Sequence, residues 1–180
     1  LRKQKKLQYL YCDYNRLSAL DLTGNPELAI LYCSNNALPY LNLEKNTKLQ
    51  GFRGEGNAYG IKPDSKRRYD LSKIAGLNIK KLSGINGGTI TGSRMTMDKN
   101  ATQITYTYDC GNKQSARFTL TVPVSGIRLN QSNLKLQRNA TYTLKPTITP
   151  SIATNQKLKW TSSDSKIATV TSSGRVKGLK

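Results

Sequence analysis

Leucine returns to the same places every 21 residues in the first third of the chain. The run Leu7-Gln8-Tyr9-Leu10-Tyr11-Cys12-Asp13-Tyr14-Asn15 is followed 21 residues on by the run Leu28 to Asn36, and after another 21 by the run Leu49 to Asn57. Between them lie Leu17, Leu20, Leu22 and Asn25, then Leu38, Leu41, Leu43 and Asn46, so the spacing holds through the whole unit. Within each unit a short alternating stretch predicts a strand that turns Leu10 and Cys12 inward and Tyr9 and Tyr11 outward. Asn15, Asn36 and Asn57 follow at the turn, where a side-chain amide can bond backbone groups of the neighbouring coil that would otherwise be buried unpaired. One such coil cannot bury its own leucines, so coils must stack. About two and a half coils are present, against the ~3 that a free-standing array needs, and further repeats are expected ahead of Leu1.

The pattern changes after Asn57. Pro63, Asp64 and the basic run Lys66-Arg67-Arg68 mark a boundary, and beyond it Thr, Tyr, Val and Ile alternate between Gly- and Asn-rich turns. Thr89-Ile90-Thr91, Met95-Thr96-Met97, Ile104-Thr105-Tyr106-Thr107-Tyr108 and Arg117-Phe118-Thr119-Leu120-Thr121-Val122 read as antiparallel strands, with a hairpin expected over Thr102 to Val122. Its turn is placed at Asp109-Cys110-Gly111-Asn112. From Val124 onward the segments VSGIRLN, LKLQRNATYTLKPTITP, LKWTSSDSKIATV and SSGRVKGL continue the short-strand pattern.

Three resemblances attach to these residues. The stretch Leu7 to Asn57, with Asp21-Leu22 in one unit and Asn42-Leu43 in the next, resembles the cysteine-ladder leucine-rich repeats (LxxLxCxxNxLxxLDLxxN) of the internalins and related bacterial surface proteins. It departs from that pattern where Gly54 replaces the ladder cysteine and glycines cluster, which is where the array is expected to end. The pattern TYTYDCGN followed by FTLTV is similar to a small β-domain that often follows such repeats. Residues from Val124 to Leu179, through WTSSD, IATV and GRV, resemble the bacterial immunoglobulin-like domain of group 2, the invasin and intimin type. That resemblance implies a core position for Trp160 between two sheets. The family adds two further strands after GRVKGL, so the sandwich is expected to be incomplete, with an unpaired edge on its last strand.

Together these readings imply a mainly β, modular chain. A leucine-rich-repeat solenoid with a parallel sheet is expected over residues 1–60, a small antiparallel β-domain over 61–122, and an incomplete immunoglobulin-like β-sandwich over 123–180. The resemblances imply a secreted or cell-surface bacterial location. The expected function is adhesion or interaction, with the solenoid recognising a protein or glycan ligand and the β-domains acting as spacer. The chain begins with Leu1 rather than Met, and is read as an internal fragment whose export signal and wall anchor lie elsewhere.

Composition narrows the chemistry. Histidine is absent from the 180 residues, which removes the usual general base at neutral pH and the commonest zinc ligand. The ten carboxylates have neither calcium-loop spacing nor a pair placed for glycoside hydrolysis. Three cysteines without a CxxC motif argue against a disulfide framework and a metal knuckle. No catalytic residue, cofactor or metal site is therefore expected. Cys12 and Cys33 occupy the same inward position of adjacent coils, about 4.8 Å apart, and are read as packed free thiols, because parallel in-register side chains rarely reach the ~90° dihedral of a disulfide. No apolar run approaches the ~20 residues of a membrane span.

Charge is the most unusual feature. The formal net charge is +19, and it is uneven: residues 1–57 carry eight basic and five acidic side chains, residues 58–122 eleven and four, and residues 123–180 ten and one. Such an excess suits anionic wall polymers or other polyanions, although nothing matches a sequence-specific nucleic-acid reader. The other candidate surface is the outward column Tyr9, Tyr11, Ile30, Tyr32 and Arg53, where tyrosine offers rigid contact area with a polar tip. Its competing explanation is plain strand propensity. Three functions follow as alternatives: recognition by this column, polyanion binding by the basic surface, or an accessory region of a larger extracellular enzyme.

Overall fold

The computed structural model describes residue 1 and residues 3–180. Arg2 lies outside the described residues. The chain divides into two compact units, Leu1–Val122 and Pro123–Lys180. Both are built from short strands, and among the described residues there is no α-helix, only two single turns of 3-10 helix at Leu71–Lys73 and Ile79–Lys81.

In the first unit the 21-residue period becomes a parallel sheet. Strands β1 (Tyr9–Tyr11), β2 (Ile30–Tyr32) and β3 (Gly51–Arg53) lie in that order. Tyr9 pairs with Ile30 and Ile30 with Gly51, while Leu10, Leu31 and Phe52 form the next column. The leucines of the repeat turn inward: Leu28, Leu31, Leu38 and Leu43 are wholly buried, and Leu22 and Leu41 are nearly so. Each such side chain stabilises the stack by about 1.5–3 kcal/mol.

The chain leaves the third coil by joining a different sheet. Strand β4 (Asn57–Gly60) pairs in parallel with β10 (Gln114–Thr121), which pairs antiparallel with β9 (Gln103–Gly111), and β9 carries β6 (Leu82–Asn86) on its other side. A second antiparallel sheet sets β8 (Arg94–Met97) between β5 (Arg68–Asp70) and β7 (Gly88–Thr91). The separate module expected over 61–122 is therefore part of one compact unit with the coils. The reason lies in the alternation of β9 and β10, which buries Ile104, Tyr106, Tyr108 and Cys110 along one strand and Ala116, Phe118 and Leu120 along the other. That face packs on the second coil. Tyr106 donates its hydroxyl to the Pro39 carbonyl at 2.5 Å, the Leu43 amide donates to the Cys110 carbonyl at 2.7 Å, and Tyr40 and Tyr108 pack with ring centroids 5.6 Å apart.

Two expectations in this region need correcting. Cys110 is not in a turn but inside β9, fully buried. The hairpin turns instead at Asn112 and Lys113, which both have positive φ, 50° and 59°, as a tight hairpin with strand-matching twist requires.

The second unit holds two small sheets. One pairs β11 (Gly126–Leu129) with β13 (Pro146–Thr149), and the other sets β15 (Arg175–Gly178) between β12 (Thr141–Thr143) and β14 (Ala168–Val170). The last strand is thus paired on both sides rather than exposing an edge; β12 and β14 form the edges of its sheet. Trp160 is half-buried rather than a core residue. Its ring lies over Gly174, where a Cβ would come within 2.9 Å of the indole. Burial here is sparse: Ala153 is the one fully buried apolar side chain among the described residues of this unit, whereas Ile127 and Ile167 are 56% and 52% exposed.

Candidate functional site

The exposed face of the parallel sheet is made by the residues that alternate against the leucines. Its register places Tyr9, Ile30 and Gly51 in one column and Tyr11, Tyr32 and Arg53 in the other. The second column is continuous. The Tyr11 and Tyr32 rings meet edge to face, with centroids 5.2 Å apart, and the Arg53 guanidinium lies over the Tyr32 ring, 4.6 Å from its centroid. An aromatic pair and a cation–π contact each favour this alignment by about 1 kcal/mol. The first column is weaker, because Ile30 spreads across Gly51 and leaves Tyr9 as its one ring. Tyr9 and Tyr11 are more than half exposed.

A residue outside the expected set extends this face. Tyr14 is 83% exposed and has φ of 54°. One repeat later Asn35 has φ of 56° and two repeats later Gly56 has φ of 72°, so every coil turns at this position, one residue before the asparagine assigned to the turn. Glycine adopts the left-handed region freely and asparagine tolerates it, but for tyrosine it is strained. The signal was present in the Tyr14, Asn35, Gly56 series and is readable only once the two tolerant residues are seen to define the conformation. Beside this turn an open cavity of about 430 Å³ is lined by Asp13, Tyr14, Ser34, Asn35, Arg53, Glu55 and Gly56. Asp13 accepts from the Ser34 amide at 2.7 Å.

The asparagines hold the coils in register. Asn36 donates to the Cys12 carbonyl at 2.8 Å and accepts from the Leu17 amide at 3.0 Å. Asn57 donates to the Gly54 and Cys33 carbonyls and accepts from the Leu38 amide. Asn15, on the first coil, donates to the carbonyls of Cys12 and Asp13 and is exposed. A second ladder was not singled out from the sequence. Asn25 donates to the Leu1 and Gln4 carbonyls, Asn46 to those of Leu22 and Asn25, and Asn112 of the hairpin turn donates to the Asn46 carbonyl at 2.8 Å. Asn112 thus supplies the rung that a further coil would have supplied, from 66 residues away, and no local pattern could announce it.

All three cysteines are free thiols. Cys33 and Cys110 are fully buried, and Cys12 is half-buried. Burial raises the Cys33 thiol well above its ordinary value, helped by nearby Cys12 and Asp13. Burial likewise pushes Cys110 up to about 12. Thiols held protonated are poor nucleophiles. Gly54 interrupts the ladder for a spatial reason: a Cβ there would fall 2.6 Å from the Phe52 ring and 3.3 Å from Ala116 of β10. Among the described residues no group of three His, Cys, Asp or Glu side chains could hold a metal ion.

In the second unit the WTSSD, IATV and GRV segments meet around Trp160, Gly174 and Ala168, whose carbonyl accepts from the Ser162 hydroxyl at 2.7 Å. Residues 123–180 match the model of the bacterial Ig-like domain (group 2). Domains of this group occur in bacterial surface adhesion proteins. No curated protein matches the chain. Among the described residues no helix is long and apolar enough to cross a membrane.

Proposed function

We propose that this chain is a non-catalytic part of a bacterial cell-surface adhesion or interaction protein. In this reading residues 1–60 are leucine-rich-repeat coils of the internalin-like, cysteine-ladder kind, and their exposed sheet face binds a protein or glycan. The Ig-like unit then acts as a spacer on the outside of the cell. The observation that carries the reading is the outward column Tyr11, Tyr32 and Arg53, joined by ring and cation–π contacts. Rigid aromatics aligned this way offer a large contact area at low entropic cost, and a coupled arginine adds a fork for a carboxylate or sulfate. The residues beside them, Asp13, Ser34, Asn35 and Glu55, supply the polar rim that a sugar or peptide backbone requires.

The test compares binding of the intact chain to target-cell surfaces across salt concentrations. Aromatic contact persists as salt rises, whereas counterion-driven binding collapses. The triple change Tyr9→Ala, Tyr11→Ala, Tyr32→Ala should abolish binding while leaving the far-ultraviolet circular dichroism unchanged, because none of these side chains belongs to the leucine core. Lys157→Gln with Lys159→Gln should leave binding almost intact. The opposite pattern would assign recognition to the basic surface and reduce the coils to a scaffold.

A further inference from the structure

Four of the eleven basic side chains of residues 58–122 meet at one place. An open groove of about 490 Å³ is lined by Lys62, Asp64, Arg68, Tyr69, Asp70, Lys73, Thr91, Ser93 and Arg94. Strand alternation builds it. Arg68 and Asp70 project from the same face of β5, Arg94 stands opposite Asp70 on β8, and Thr91 stands opposite Arg94 on β7. Met95, next to Arg94 on β8, is fully buried, and Tyr69 is half-buried.

Both carboxylates in the groove are already engaged. Asp64 holds the Arg68 guanidinium at 2.8 Å and accepts from the amides of Lys66 and Arg68. Asp70 accepts from the Ser72 amide at 3.0 Å. Hydrogen bonds from Ser72, then from the Ser93 side chain, hold its carboxyl below the usual range, with Lys73 acting in the same direction. Lys62, Lys73 and Arg94 are exposed, and none of them forms an ion pair among the described residues. Four cationic side chains against two carboxylates leave the groove positive by two charges.

We infer that this groove binds a phosphodiester polymer of a polyol or sugar, with Lys62, Lys73 and Arg94 on successive phosphates and the Thr91 hydroxyl on the polyol. The volume suits a ligand of several units and is far larger than a single tetrahedral ion needs, and an open groove admits a chain that continues at both ends. Guanidinium and ammonium groups together match phosphate oxygens, the first by a fork and the second as a point charge. Nucleic acid fits less well, since stacking of bases needs exposed aromatic faces and the one ring here is half-buried. This site is independent of the tyrosine face, and either can fail without the other.

The experiment uses the intact chain at about 150 mM salt and a fluorescently labelled poly(glycerol phosphate) oligomer as probe. Inorganic phosphate, dextran sulfate, neutral dextran and duplex DNA serve as competitors. Lys62→Gln, Lys73→Gln, Arg94→Gln together should weaken binding at least about tenfold and flatten its salt dependence. Lys157→Gln, Lys159→Gln, Lys177→Gln, which removes the same charge from the other unit, should change it less than about twofold. Arg94→Lys, which keeps the charge, should retain most of the affinity and guards against misfolding of the triple variant. Equal losses in the two triple variants would mean diffuse attraction and would overturn the site. So would absence of binding, or duplex DNA competing better than the unlabelled oligomer.

Discussion

Tyr14 carries the cost of a repeat whose turn demands a left-handed residue. Its side chain is exposed, so replacement removes strain without removing packing: Tyr14→Gly should raise the stability of the first unit by about 1 kcal/mol in urea unfolding, while weakening any ligand of the adjacent face. A loss of stability would mean that the ring packs in a way its exposure does not suggest. The thiols give a second residue-scale expectation. Cys33, Cys110 and the Tyr106 hydroxyl all have their proton held more tightly in the fold than in the unfolded chain, in each case chiefly by burial. The stability they confer is therefore complete below the ordinary thiol value of 9.0 and is lost as pH rises toward about 12. Unfolding midpoints should fall steadily above pH 9, and Cys12 should label with a thiol reagent before the other two; a flat alkaline profile would contradict their burial. At this scale the inward Cys33 and the outward Tyr9 and Tyr11 were legible from alternation alone. The half-exposure of Cys12 and the strain at Tyr14 were not, since both depend on which neighbouring coil covers which residue.

Among the elements, the hairpin of β9 and β10 takes the place of the missing half of the third coil. Asn112→Gly isolates this role, because glycine preserves the positive φ while deleting the hydrogen bond to Asn46; we expect a loss of about 1 kcal/mol, as the partly buried carbonyl loses one of its two donors and keeps only the Leu49 amide. Tyr106→Phe should cost a similar amount through the buried Pro39 carbonyl. If both variants unfold at the wild-type midpoint, the sheet does not cap the coils through these bonds. The strands themselves were readable from the sequence: the 21-residue period located β1, β2 and β3 in register, and the alternation of Thr, Tyr, Phe and Leu located the hairpin. Its destination was not readable. Tyr106 bonds a carbonyl 67 residues away, and a pattern of short-range spacing carries no information about so distant a partner. The same holds for β15, whose central place in its sheet comes from pairing with β12, more than 30 residues earlier.

At the scale of the whole molecule, the first unit has a continuous core of leucines and aromatics, whereas the second buries little and leaves Ile127 and Ile167 in solvent. The chain supplies its own probes, since the single tryptophan, Trp160, lies in the second unit and nine of the ten tyrosines lie in the first. Tryptophan fluorescence should therefore report an earlier urea midpoint than near-ultraviolet tyrosine dichroism, and coincident transitions would argue against independent folding of the two units. The excess of basic residues was plain in the composition; the meeting of Lys62, Arg68, Lys73 and Arg94 in one groove beside β5 and β8 emerged only from strand pairing. The central claim, that recognition belongs to the aromatic face of the coils, is tested most directly by hydroxyl-radical footprinting of the intact protein bound to its target surface. The account predicts protection of Tyr9, Tyr11, Tyr14 and Tyr32 with Trp160 unchanged, and protection confined to Trp160 and its neighbours, with the four tyrosines as reactive as in the free chain, would contradict it.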